Sequence, residues 1–246
     1  MFRSGQARIL PQLKTEKYCV AYLDVLGAKK FMADNSDKFL NDLNSIYFDA
    51  KNEVELIGRI TSEAIEAKIF SDNILLALKI EENLEKSKDK ITMLLCLSAN
   101  IYNNALWHGY LMRGAITFGD FYQNNLFAYG KALMDAVDME ENIAIYPRIV
   151  AHESLYEILQ QYFALCADGC FALKTFLFYG MPDIYKFNLL ELCKQHCEDA
   201  KVMQKIMWVI NYFNVYYSNK AGIKLQITNS EITKAVSSIG ISCYEN

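Results

Sequence analysis

A single acid inside an apolar run limits what this chain can fold into more than any other feature. Residues 17–26 (KYCVAYLDVL) combine β-branched, aromatic and aliphatic side chains and close on Gly27, the pattern of a buried strand. Asp24 sits inside that run, where an ionised carboxylate is costly unless a cation or hydrogen-bond donors compensate it. A fold that accepts the strand has to supply such a partner. Residues 67–80 (AKIFSDNILLALKI) repeat the problem. They are apolar on both sides of Ser71-Asp72-Asn73, residue types that suit a tight turn between antiparallel strands, so Asp72 is expected at a hairpin tip. If that hairpin pairs beside the first strand, the two acids lie one strand spacing apart, about 4.8 Å between backbones, and can share divalent cations.

Elsewhere the spacing alternates between helix and strand. Phe39, Leu43, Ile46, Ala50 and Val54 predict a helix over about 34–56, and Leu94, Leu97, Ile101 and Ala105 a second over 91–107. Residues 110–118 (YLMRGAITF) and 127–129 flank polar turns as paired strands would, and Gly130 opens a helical segment to about Glu141. Residues 143–150 (IAIYPRIV) return to a strand in which Pro147 argues for an edge position. Helices among mostly antiparallel strands predict an α+β layer architecture with helices on one face of a sheet. Past residue 151 the pattern is mainly helical. Its stripes, Leu155/Ile158/Leu159/Tyr162 and Met203/Ile206/Met207/Ile210/Phe213/Tyr217, read as core or dimer contact.

Composition narrows the function classes. With 246 residues, 52% of them apolar and 22% charged, the chain can bury one sizeable core with an appendage. A net charge of −4 offers no broad positive field for a nucleic-acid backbone, so no nucleic-acid partner is expected. No stretch approaches the roughly 20 apolar residues that cross a bilayer, and the first residues lack the apolar centre of a secretion signal; a cytoplasmic protein without membrane contact is expected. Seven scattered cysteines are expected to be reduced. The pairs Cys166/Cys170 and Cys193/Cys197 could hold zinc, yet both sit among apolar residues at helical spacing, where cysteine acts as a small hydrophobe.

Two carboxylates that share divalent ions suit phosphoryl chemistry, because one ion can activate a hydroxyl while the other neutralises a polyphosphate, and magnesium and manganese favour such oxygen ligands. The local alternative is that Asp24 caps a turn before Gly27 and that Asp72 is only a turn residue. Period-two alternation puts Tyr22 on Asp24's face, where its ring reaches a ligand or fills the core. Arg113, beside Gly114 in an apolar strand, either steadies phosphate oxygens or pairs with a structural acid, and Arg148 carries the same two readings.

The stretch AYLDVLGAKKF resembles the first-strand motif of class III nucleotidyl cyclases, and AKIFSDNILLAL is similar to their second metal-bearing hairpin. The likeness continues through MRGAITFGD, YGKALMDAVDMEE and IYPRIVAHESL, over residues 17–155. Within that class the chain looks most like the bacterial pyrimidine cyclases of Pycsar anti-phage defence, in which LDVLG, FSD, RGAI, GKAL and YPRI occur in this order; ADG at 167–169 and KIMWVINYFN at 205–214 extend the match. The resemblance implies a ferredoxin-like catalytic core over 17–155, after an N-terminal lead over 1–16 and before a mainly helical extension over 156–246 packed on the core. It also implies a head-to-tail homodimer with active sites between subunits. The implied reaction is attack of a metal-bound 3′-hydroxyl on the α-phosphate of UTP or CTP, with UTP preferred. The products are 3′,5′-cyclic UMP or CMP and pyrophosphate, the cyclic nucleotide being read by a separate effector during phage infection.

On this resemblance two divalent ions, Mn2+ or Mg2+, are held by Asp24 and Asp72 with the Val25 backbone carbonyl as an extra ligand. Tyr22, Lys68 and Arg113 bind substrate, Lys68 falling four residues before Asp72 where purine cyclases place a base-contacting lysine; on its own residue type Lys68 reads equally as a solvated strand-end lysine. The departures are specific. Counting from Gly130, the family's transition-state asparagine and arginine fall on Met134 and Asp138, and the acid that reads adenine falls near Phe127. That disfavours a purine substrate and leaves a second reading, a degenerate cyclase fold that binds a nucleotide or a partner without turnover. A different two-metal phosphotransferase is disfavoured by the missing basic surface and the absence of a GGDEF-like turn.

Overall fold

A computed structural model describes residues 12–61, 65–175, 182–218 and 225–238, so Cys243 and most of the N-terminal lead lie outside the described residues. The chain opens as β1 (Glu16–Val25), α1 (Ala28–Thr61), β2 (Ile65–Phe70), β3 (Asn73–Lys79), α2 (Lys88–Trp107) and β4 (Met112–Gln123). These four strands lie in the order β2-β3-β1-β4, antiparallel at every junction. A βαββαβ unit in this order is the ferredoxin-like arrangement, within an α+β fold. Alternation divides the first strand between two interiors. Cys19, Ala21, Leu23 and Val25 point into a core with Phe39, Leu43 and Ile46 of α1 and Ile91, Leu94 and Ile101 of α2. Val20 points the other way with Leu75, Ala77 and Ala115, where Ala132 and Ala136 of α3 (Lys131–Asn142) cover it.

Helices therefore cover both faces of the sheet, which corrects the one-face expectation: β1 is apolar in both registers, and α3 is needed to cover the second. Within α1, Asn35 leaves helical geometry (φ −158°, ψ 86°), and its side chain accepts from the Lys38 amide at 3.0 Å. The helix predicted from about residue 34 starts at this cap, preceded by further helical turns from Ala28.

Beyond α3 the sheet continues. β5 (Ala128–Tyr129) pairs with β4, and β6 (Ile149–Ala151) runs parallel to β4. After α4 (Glu153–Leu159), β7 (Phe163–Leu165) and β8 (Phe171–Leu173) complete eight strands. The strand expected over 143–150 shrinks to β6, which lies between β4 and β8 rather than at an edge. Pro147 precedes it, so no ladder donor is lost, and the Pro147 carbonyl accepts from Tyr102 Oη at 2.8 Å. Strands β7 and β8 also lie past residue 155, in a stretch whose pattern read as helical.

The helices α5 (Pro182–Gln195), α6 (Ala200–Ser218) and α7 (Asn229–Ser237) enclose a second core of Tyr185, Leu189, Leu192, Ile206, Ile210 and Phe213. Leu106 of α2 and Leu111 join this core and Leu26 packs against it, so the helical unit sits at the end of the sheet where β1 stops and β4 begins. Among the described residues no helix is long and apolar enough to cross a membrane.

Arg148 is a structural residue. Its buried guanidinium bonds both carboxylate oxygens of Asp168 in the β7–β8 turn and donates to the Ile143 carbonyl at 3.0 Å. It also lies 5.9 Å from the Tyr146 ring centre and 5.8 Å from that of Trp208. Cys166 and Cys170 flank the same turn, whereas Cys193 is buried in the second core. Among the described residues no group of three or more histidine, cysteine or acidic side chains is placed to hold a metal ion, so the four thiolates do not assemble a zinc site.

Candidate active site

The register sets the site. Across the sheet, Phe70, Asn73, Asp24 and Arg113 form one row, and Lys68, Leu75, Tyr22 and Ala115 form the next row on the same face. Asp72 is the turn residue beside Asn73, preceded by Ser71 at φ +57°. The Val25 amide donates to the Asp72 carbonyl at 3.3 Å, which ties the hairpin tip to the end of β1. The neighbouring Leu26 amide donates to the Leu111 carbonyl at 2.8 Å. Asp24 and Asp72, distant in sequence, thus meet at one end of the sheet, close enough for the Asp72 charge to act on the Asp24 carboxyl.

Arg113 is held between two acids. Its Nε lies 3.4 Å from Asp24 Oδ2 and also contacts Glu140 Oε1, on α3. Gly114 makes this approach possible, since a Cβ there would fall 2.5 Å from the Tyr22 carbonyl oxygen. The Glu140 side chain is only 4% exposed, and its Oε1 meets Arg113 as an ion pair without hydrogen-bond geometry. Burial, joined by the negative charge of Asp24, pushes the Glu140 carboxyl up to about 7 despite Arg113. Asp24 is pushed up to about 6, first by burial and then by the Asp72 charge, with Arg113 pulling it back. One arginine does not compensate this many carboxylates.

The aromatic surroundings are equally specific. Tyr22 lies 6.4 Å from Phe70, ring centre to ring centre, and burial followed by the charges of Asp24, Glu140 and Asp72 raises its hydroxyl to about 12. Tyr47 comes from α1, on the opposite side of the sheet. Its buried hydroxyl has no hydrogen-bond partner among the described residues, and the charges of Asp72 and Asp24 add to burial in raising its pKa.

These features fit a hard divalent cation. Two carboxylates that repel one another, beside an unsatisfied hydroxyl, gain from a cation that water alone does not replace. Two acids do not complete a coordination sphere; magnesium and manganese sites commonly add water and substrate phosphate oxygens to one or two carboxylates.

Of the residues singled out from sequence, Asp24, Asp72, Val25, Tyr22 and Arg113 come together at this end of the sheet. Lys68 shares the face, in Tyr22's row on β2. Met134, on α3, is exposed, and Asp138 accepts from Asn142 Nδ2 at 2.9 Å. Sequence reading missed Glu140, although Ala132, Ala136 and Glu140 form a buried stripe at four-residue spacing in which an acid stands out. It also missed Phe70, Tyr47 and Lys205. Lys205, on α6, lines a cleft with Gly27 and Lys30, and no local pattern marks it.

No protein-family model matches the sequence, and no curated protein matches it. Several solved structures are similar in fold. The monomeric guanylyl cyclase domain of the RhoGC fusion protein from the aquatic fungus Blastocladiella emersonii matches with a TM-score of 0.46 at 13% identity, over 66% of this chain and 98% of that one. The guanylate cyclase domain of RhGC from Catenaria anguillulae, in complex with GTP, matches with a TM-score of 0.45 at 14% identity, over 65% and 96%. A bacterial light-regulated adenylyl cyclase matches with a TM-score of 0.42 at 11% identity, over 73% and 57%.

Proposed function

We propose that the chain is a metal-dependent nucleotidyl cyclase of the class III type, acting on UTP or CTP to give a 3′,5′-cyclic monophosphate and pyrophosphate. The observation that carries the reading is the meeting of Asp24 and Asp72 at the sheet end, in the order and context that the cyclase motifs imply. Divalent ions held there, with the Val25 carbonyl as a further oxygen donor, would supply activation of the 3′-hydroxyl and neutralisation of the triphosphate. The chain's own residues bind and orient. Tyr22 and Phe70 offer a half-exposed aromatic surface for a base, with Lys68 on the same face. Arg113, braced by Glu140, holds Asp24 toward Asp72 and presents its remaining donors to phosphate oxygens.

The pyrimidine preference rests on the absence of a purine-reading acid near Phe127 and on the Pycsar-like motif series. With it go a homodimer whose active sites lie between subunits and a separate effector that reads the product during phage infection. A cytoplasmic setting belongs to the same reading.

One observation favours the alternative of a binding module without turnover. The solvent face of α3 carries Met134 and Asp138, where the family's transition-state pair belongs. Incubating the protein with each of the four ribonucleoside triphosphates and manganese, and resolving the products by mass, separates the two. Cyclisation predicts a cyclic pyrimidine monophosphate with pyrophosphate, lost in Asp24→Ala and Asp72→Ala. Intact triphosphate in all four incubations, with binding retained, would leave the module.

A further inference from the structure

We infer, on the reading of Asp24 and Asp72 just proposed, that Lys205 of the C-terminal helix α6 binds the terminal phosphates of the substrate, so that the helical unit completes the site. Leu26, Gly27, Lys30, Phe31, Leu111 and Lys205 line a cleft of about 70 Å³ at the point where β1 passes into α1, directly after the acid-bearing strand end. Lys30 and His196 also line a wider surface crevice of about 710 Å³, with Lys194, Glu198, Asp199 and Lys201, so that cleft and crevice adjoin at these two residues. A cation at the head of this path meets an anion that enters along it.

Lys205 has no hydrogen-bond or ion-pair partner among the described residues, although its side chain is partly buried. Burial, and then the charge of Arg113, lowers its pKa, and the charges of Asp24 and Asp199 offset part of that. Asp199 is otherwise engaged. Its Oδ1 caps α6 through the Lys201 and Val202 amides, at 3.2 and 3.1 Å, and its Oδ2 lies 3.5 Å from Lys30 Nζ. The Asp199–Lys30 pair thus fixes the start of α6 against the start of α1 and leaves Lys205, on the next turn but one, pointing into the cleft. A half-buried ammonium without an anion in a site built for metal ions is satisfied by phosphate oxygens beyond the α-phosphate.

The test is calorimetric binding of inorganic tripolyphosphate, which lacks base and ribose, to the full chain in the presence of Mn2+. Lys205→Gln and Lys205→Met should each bind roughly tenfold to hundredfold more weakly than the unaltered chain, the loss of one charge-assisted contact. Lys205→Arg should restore most of the affinity, and Lys131→Gln, on the exposed start of α3 and lining neither cleft nor crevice, should change little. Circular dichroism confirms that each variant is folded, and Lys205→Met keeps the apolar stem packed. Binding by Lys205→Gln and Lys205→Met as tight as that of the unaltered chain would overturn the inference alone, provided that binding still requires Mn2+ and is lost in Asp24→Asn. Tripolyphosphate binding that is absent from the unaltered chain, or indifferent to Mn2+ and to Asp24→Asn, would overturn the metal-site reading and this inference with it.

Discussion

Asp24→Asn is predicted to make the metal-free protein more stable while removing its response to metal. Burial and the Asp72 charge lift the Asp24 pKa from 3.8 to about 6, so folding disfavours the carboxylate. The sign follows from proton binding. Below 3.8 the group is protonated in both states and costs nothing; as pH rises from 3.8 to about 6 the unfolded chain gives up its proton while the folded protein keeps its own, and stability falls across that window. The full cost above that window is about 3 kcal/mol, falling to about half of that at pH 5. Asparagine keeps the shape and removes the charge, and Arg113 retains Glu140 as partner. In EDTA at pH 8 the variant should therefore melt higher, by up to about 10 °C for a chain of this length, with the advantage shrinking at pH 5. Adding Mn2+ should raise the melting temperature of the unaltered chain as its ligand concentration rises, and leave the variant unmoved. Thermal denaturation followed by circular dichroism reads both. A variant that melts lower than the unaltered chain in EDTA at pH 8, or an advantage that does not shrink with pH, would refute the electrostatic account of the site.

Glu140→Gln should likewise raise metal-free stability, by an amount that grows as pH rises from 4.5 to about 7, because burial first and the Asp24 charge after it lift that carboxyl to about 7; chemical denaturation at pH 5 and pH 8 reads the difference. Arg148→Met should cost about 3 kcal/mol, since removing the guanidinium strips the Ile143 carbonyl and Asp168 of their donor and takes the cation away from the stacked Tyr146 and Trp208 rings. Its melting temperature should fall while the pattern of nucleotide products stays the same. Gly114→Ala forces a methyl against the Tyr22 carbonyl and should cost about 1–3 kcal/mol by parting β1 from β4. Its activity should fall more steeply than its stability, because the displaced row carries both Asp24 and Arg113.

What the sequence made legible was what local pattern encodes. The apolar run around Asp24 and the turn at Asp72 are visible as strand and hairpin because each breaks a hydrophobic pattern with one acid, and the structure pairs the hairpin beside the first strand. The helices α1 and α2 follow from their three-and-four spacing. The three-residue strands β7 and β8 were not legible, because the repeated Phe-Ala-Leu of each is too short to show a period. Nor was the second covered face visible, since alternation in β1 is apolar in both phases and does not say which phase is solvated. Glu140 was within reach as an acid on an alanine stripe, whereas Lys205 was not, because only tertiary packing of α6 brings it to Gly27.

The same residues explain why a chain would carry acids that weaken it. Asp24 and Glu140 both hold raised pKa values in the metal-free protein, and the charges of Asp72 and Asp24 bear on a buried Tyr47 hydroxyl without a hydrogen-bond partner among the described residues. A side-chain set chosen for stability would replace at least one of these with an apolar residue of similar volume. Arg113 offsets part of the repulsion but is shared between two carboxylates, so the residual charge favours an added cation. On the proposed metal site, binding and folding would be linked, since a divalent ion would remove a repulsion that folding created. On that reading an anion-binding Lys205 fits the separate helical unit, where the nearby Asp199 is already engaged by Lys30 and the α6 amides and does not claim it.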